Sequence, residues 1–188
     1  MSKAVLISIR PKWCEKIING DKTIEVRKTR PKTDTPFKCY IYCTIGGQDL
    51  NIPISQERIM RDYLETGSMK SLNCPLGNGK GIGEFTCDQI IDAWWDYVPD
   101  AITREVAGGN LEALDGTGMT DEELFSYVGD SMRGHCYGWH ISDLRIYDET
   151  RELSEFTGLR NTRFGAAPYD IKRAPQSWGY VQEEARDE

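Results

Sequence analysis

The run Gly20-Asp21-Lys22-Thr23-Ile24-Glu25-Val26-Arg27 places a lysine, a carboxylate and a guanidinium within a few positions of one another. If the run is a strand, Ile24 and Val26 point one way and Thr23, Glu25 and Arg27 point the other. The apolar pair then faces a core, and the polar trio lines a surface or a cleft. Arg27 and Lys22 can hold a phosphate or carboxylate, and Glu25 can accept from an exocyclic amine or a ribose hydroxyl. That combination suits a nucleotide or nucleobase. For hydrolysis, a partly buried Lys22 could act as a base once neutral, or stabilise an oxyanion while charged. The plain alternative is an ion-pair ladder on an exposed strand.

The charge around this run is distinctive. Residues 10–32 carry eight basic and three acidic side chains, a net +5, in a chain whose formal charge is −7. A positive segment on a negative body is a place for an anionic ligand, and Lys28 and Arg30 extend it. The low overall pI, about 5.0, argues against a general duplex-DNA binder.

Aromatic residues form a second set. An indole beside a basic cleft can stack an unpaired base, and Trp13, next to Lys12, is the candidate for that role. Trp94 and Trp95 are adjacent, so on a strand they face opposite ways. Ser177, before Trp178, can hydrogen-bond a ligand or begin the last strand. Gly77-Asn78-Gly79-Lys80-Gly81 lacks the Ser or Thr of a phosphate-binding loop. No Cys-x-x-Cys pair occurs, and Cys39 and Cys43 lie about 13 Å apart along a strand, too far to chelate together. No metal or cofactor is expected.

Short elements must position these groups. Ala4–Ile9 reads as a first strand. Pro11 opens a two-turn helix with Cys14, Ile17 and Ile18 on one face, ended by Gly20. Strands follow at 23–27 and 38–45. Ser55 caps a helix to about Glu65 whose buried stripe would be Ile59, Met60, Tyr63 and Leu64. Strand character returns over 81–93, residues 96–119 read as an irregular connection, and Thr120…Glu123 is a capping box before a third helix. Residues 138–147 and 177–181 are further strands, and 182–188 a solvated tail. About six strands with three inserted helices point to a mixed α+β fold, a small barrel with helices at its ends.

The run from Gly20 to Arg27 resembles the G-x-K-x-x-E-x-R signature of the ASCH domain family, of the PUA-like superfamily. Lys80-Gly81-Ile82-Gly83-Glu84-Phe85, Gly138-Trp139-His140-Ile141-Ser142-Asp143-Leu144 and Ala174-Pro175-Gln176-Ser177-Trp178-Gly179-Tyr180-Val181 are similar to later segments of its bacterial and phage branch. The resemblance implies a PUA-like β-barrel with a cleft that recognises RNA or a nucleobase. It also implies, as alternatives, an amidohydrolase acting on N4-acetylcytidine or a ribonuclease. For the amidohydrolase, Lys22 matches the catalytic lysine. The catalytic threonine falls where this chain has Glu25, and Thr23 is the nearest threonine.

At 188 residues the chain is expected to be one domain with a real core. No apolar run is long enough to span a membrane, and the short apolar start lacks a signal-peptide cleavage site. A cytoplasmic monomer with reduced cysteines is expected. The leading expectation is an RNA- or nucleotide-binding module using Lys22, Glu25 and Arg27, flanked by Lys28 and Arg30. A protein-interaction role for the acidic segment 96–123 is a third.

Overall fold

The computed structural model describes residues 2–67, 74–97, 106–129, 133–163 and 165–184. The elements in chain order are β1 (Lys3–Ile9), α1 (Pro11–Ile18), β2 (Ile24–Arg27), β3 (Phe37–Cys43), α2 (Gln56–Thr66), β4 (Lys80–Cys87), β5 (Ile90–Tyr97) and β6 (Val106–Gly109). They continue with a 3₁₀ turn at Leu111–Leu114, α3 (Asp121–Val128), β7 (Arg133–His140), β8 (Ser142–Arg151), a second 3₁₀ turn at Leu153–Glu155, β9 (Thr157–Thr162), β10 (Gly165–Asp170) and β11 (Trp178–Gln182). None of these helices is long and apolar enough to cross a membrane.

The mixed α+β class and three helices match the sequence reading, but the strand count does not. Among the described residues, eleven strands replace six, arranged as a seven-stranded and a four-stranded sheet. Each sheet runs from one edge strand to another, and no ring closure is among the described pairings. Two expected strands each prove to be two. The 81–93 stretch breaks at Asp88-Gln89, and the 138–147 stretch breaks at Ile141, two residues before Asp143 with its φ of 48°. Apolar residues flank both breaks, Cys87 and Ile90 at the first and Trp139 and Leu144 at the second, so periodicity alone does not show them.

The chain divides into two compact units. The first comprises Met1–Glu15, Lys38–Phe85 and Leu144–Glu188. Its sheet has the order β10-β9-β11-β1-β3-β4-β8. β1 is parallel to β3, Val5 opposite Cys39, and antiparallel to β11, Val5 opposite Tyr180. Every residue from Ala4 to Ile9 is buried, as a continuous apolar run in a central strand should be. Ala4, Leu6, Tyr40, Tyr42, Phe156 and Val181 form one core cluster. The expected frayed tail is anchored as far as it is described. Arg151 donates a bidentate pair to Glu184 at 2.6 and 2.7 Å, and the Glu184 amide donates to the Tyr40 hydroxyl at 3.0 Å.

α2 is a correction of another kind. Its caps form as expected, with Ser55 Oγ accepting from the Arg58 amide at 3.1 Å and Gly67 closing the C-terminus. Its apolar stripe is not buried. Leu64 is 75% exposed and Met60 58%. Arg58 and Arg61 make polar contacts with Glu149 and Asp148, while Ile59 and Tyr63 are only partly covered, 40% and 45% exposed.

The second unit comprises Lys16–Phe37 and Thr86–Asp143. Its sheet has the order β2-β7-β5-β6 and is antiparallel throughout the described registers. One face carries Ile24, Val26, Ala93, Trp95 and Cys136, and packs with Leu114 and with Leu124 of α3. The capping box of Thr120 and Glu123 starts α3 as read from the sequence. Gly134 allows the closest approach: a Cβ there would lie 1.9 Å from a ring carbon of Trp95. Gly134→Ala therefore forces the indole out of place and is expected to cost about 1–3 kcal/mol, read as a lower urea midpoint.

Candidate functional site

β2 is short because its surroundings limit it. Gly116 closes its outer edge, its carbonyl accepting from the Thr23 and Ile24 amides at 2.8 and 3.1 Å. Gly116 has a φ of +97°, and a Cβ there would meet Thr23 Oγ1 at 2.5 Å, so glycine alone fits. On the inner edge β2 pairs with β7, Glu25 opposite Trp139 and Arg27 opposite Tyr137.

The polar face of β2 is inside the protein. Lys22 is 2% exposed, Glu25 5% and Arg27 6%, so all four strand residues are buried, apolar and polar alike. Thr23 is exposed and stands apart from this row. The trio is held by direct contacts. Lys22 Nζ donates to the carbonyls of Ile24 and Thr117, each at 2.8 Å, and lies 3.3 Å from Glu25 Oε2. Arg27 Nη2 lies 2.8 Å from Glu25 Oε1. One carboxylate therefore bridges two cations, one per oxygen.

Burial pulls the Lys22 amine below the usual lysine range, and Glu25 pulls it back up. The geometry decides which form is present. Three oxygens surround Nζ, and an ammonium has three protons to give while a neutral amine has two. Three acceptors around one nitrogen suit the charged form of Lys22.

Cations follow the row. Lys28 and Arg30 are exposed. Lys28 Nζ lies 5.5 Å from the centre of the Tyr127 ring, and the Arg30 guanidinium 5.6 Å from that of Tyr137. Burial raises the Tyr127 hydroxyl above its usual range, and the neighbouring Arg27, which hydrogen-bonds to it, opposes this. The structure thus brings Lys22, Glu25, Arg27, Lys28 and Arg30 into one stretch of the second unit.

The other candidates lie in the first unit. Lys12 Nζ stands 4.6 Å from the Trp13 ring centre, and Trp13 is half-buried. Trp178 meets Tyr180 edge-on at 5.5 Å. Ser177 accepts at its carbonyl from the Ser8 amide and precedes β11. In the second unit, His135 and His140 occupy opposite faces of β7, and each ring pairs with its own aspartate, Asp92 and Asp88 respectively. No metal-sized group of ligating side chains lies among the described residues.

Sequence reasoning missed Gly116, Thr117, Tyr127 and Tyr137. Thr117 acts through its carbonyl 95 residues from Lys22, which no side-chain pattern reports. Tyr137 had a signal: residues 133–140 alternate, with Arg133, His135, Tyr137 and Trp139 on one side.

No protein-family model matches the chain, and no curated protein matches it in sequence. Solved structures of an ASCH protein from Zymomonas mobilis are similar to it. The crystal structure of that protein shares 12% identity at a TM-score of 0.49, covering 96% of this chain and 88% of that one. A point variant of the same protein shares 12% identity at the same score, covering 97% and 92%. The site described above rests on this chain's own residues.

Lys22→Met strips the bridging carboxylate of one cation and leaves two carbonyls without a donor. It is expected to lower stability by about 3–5 kcal/mol, seen as a fall in urea midpoint at unchanged m. A midpoint equal to the parent's would contradict a buried bridge.

Proposed function

We propose that the chain binds RNA or a nucleotide through the cations at the end of β2. The observation that carries this reading is the placement of Lys28 and Arg30. Both are exposed, and each lies over a tyrosine ring beside the buried row. The row itself holds two cations against one carboxylate, so it adds positive charge of its own. An anionic backbone offers what this stretch lacks, and arginine matches a phosphate with two parallel donors. A PUA-like barrel cleft is the finer form of the same reading.

A hydrolytic role would ask Lys22 for an accessible amine. With its amine buried and in contact with three oxygens, Lys22 suits the role of a support for the exposed cations better.

The test is a salt titration of RNA binding. Each phosphate contact on a single strand contributes about 0.7 to the slope of log K against log salt. The double variant Lys28→Ala/Arg30→Ala is expected to bind more weakly, with the slope shallower by about 1.4. Parental affinity and slope in that variant would reject the reading.

A further inference from the structure

The second unit has a sheet face that the account above does not use. Residues directly opposite in an antiparallel sheet share a face. The register therefore puts Glu25, Arg27, Trp139, Tyr137, His135, Asp92 and Trp94 on one side. Burial grades along it. Trp139 is fully buried, its ring 5.8 Å from that of Phe37, edge-on. Further along β7, Tyr137 is half-buried and His135 is exposed, their rings 4.8 Å apart. Opposite His135, on β5, Trp94 is 47% exposed. Its neighbour Trp95, on the other face, is 1% exposed.

We propose that this face, Trp94, His135 and Tyr137 with Arg30 laid on Tyr137, is a stacking platform for unpaired bases of a single-stranded nucleic acid. The proposal rests on the nucleic-acid reading above and names the part of the ligand that this face takes. Three observations converge. First, the aromatic groups are borne by paired strands, so they are presented rigidly. Asn110 fastens the β5 segment, accepting from the Trp94 amide at 2.9 Å and donating to the Asp92 carbonyl at 2.8 Å. Second, the aromatic rings already meet one another. Tyr137 and His135 pack edge to face, their planes 75° apart, so they form one aromatic patch beside Trp94. Single-stranded recognition works on unstacked bases laid on such surfaces.

Third, the charges give the ligand a direction. Among the described residues, Asp92 and Asp96 of β5 are each paired, Asp92 with His135 at 2.6 Å and Asp96 with Arg133 at 2.9 Å. The exposed cations Lys28 and Arg30 follow β2, on the opposite side of β7. A strand whose phosphates run along Lys28 and Arg30 lays its bases across β7 towards Trp94. The guanidinium of Arg30, over Tyr137, offers a flat surface of its own to a base.

The experiment measures binding of a short mixed-sequence RNA, the same sequence as DNA, and an RNA of that length carrying abasic positions. The proteins are the parent, Trp94→Ala, Trp94→Phe and Lys28→Ala/Arg30→Ala. The platform predicts that Trp94→Ala binds the intact strand roughly 5- to 150-fold more weakly at an unchanged salt slope. Trp94→Phe restores most of the affinity, and the abasic strand binds weakly to parent and Trp94→Ala alike. The strand on which Trp94→Ala acts, RNA or DNA, is the ligand. Parental affinity in Trp94→Ala, with weakened binding in the double variant, overturns the platform and leaves the nucleic-acid reading standing. Absence of binding by the parent overturns both.

Discussion

The second unit depends on a carboxylate sandwiched between two cations inside the protein. Burying three charges is expensive, several kcal/mol for each ion after relaxation. The arrangement offsets that cost by leaving few polar atoms of the row to chance. Glu25 gives one oxygen to Lys22 and the other to Arg27, and Lys22 spends its remaining protons on two carbonyls. One of those carbonyls belongs to Thr117, in the turn that also closes the edge of β2 through Gly116. The row therefore joins the start of the unit to a loop nearly a hundred residues later. This explains why four consecutive residues of a strand, two of them charged, can all be buried.

The proposed function follows from where that row ends. A buried pair of cations with one carboxylate leaves positive charge at the mouth of β2, and the chain then adds Lys28 and Arg30. Each of these lies over a tyrosine, so the cations are held partly in place before any ligand arrives. Pre-ordering of this kind lowers the entropy lost on binding. The adjoining sheet face carries aromatic residues on the strands next to these cations, and the stacking proposal rests on that placement.

Much of this was legible from the residues. The Gly20–Arg27 run marked the lysine, the carboxylate and the arginine, and Ser55 and Thr120 marked the helix starts. Adjacency of Trp94 and Trp95 was enough to place them on opposite faces, because strand geometry leaves no alternative. Other features were out of reach. The buried row includes a carbonyl partner supplied to Lys22 by Thr117 from far along the chain, and carbonyls carry no sequence signature. The stripe of α2 reads as buried because an amphipathic period reports a difference between two faces, and says nothing of whether anything covers the apolar one. The breaks at Asp88-Gln89 and at Ile141 were hidden by apolar residues on either side.

The most direct test of the central claim is the state of the Lys22 side chain at neutral pH, read by NMR of lysine ammonium groups. The account predicts one ammonium signal with slowly exchanging protons, absent from the Lys22→Met protein. A Lys22 nitrogen with the shift of a neutral amine, or protons exchanging as fast as those of surface lysines, would contradict it.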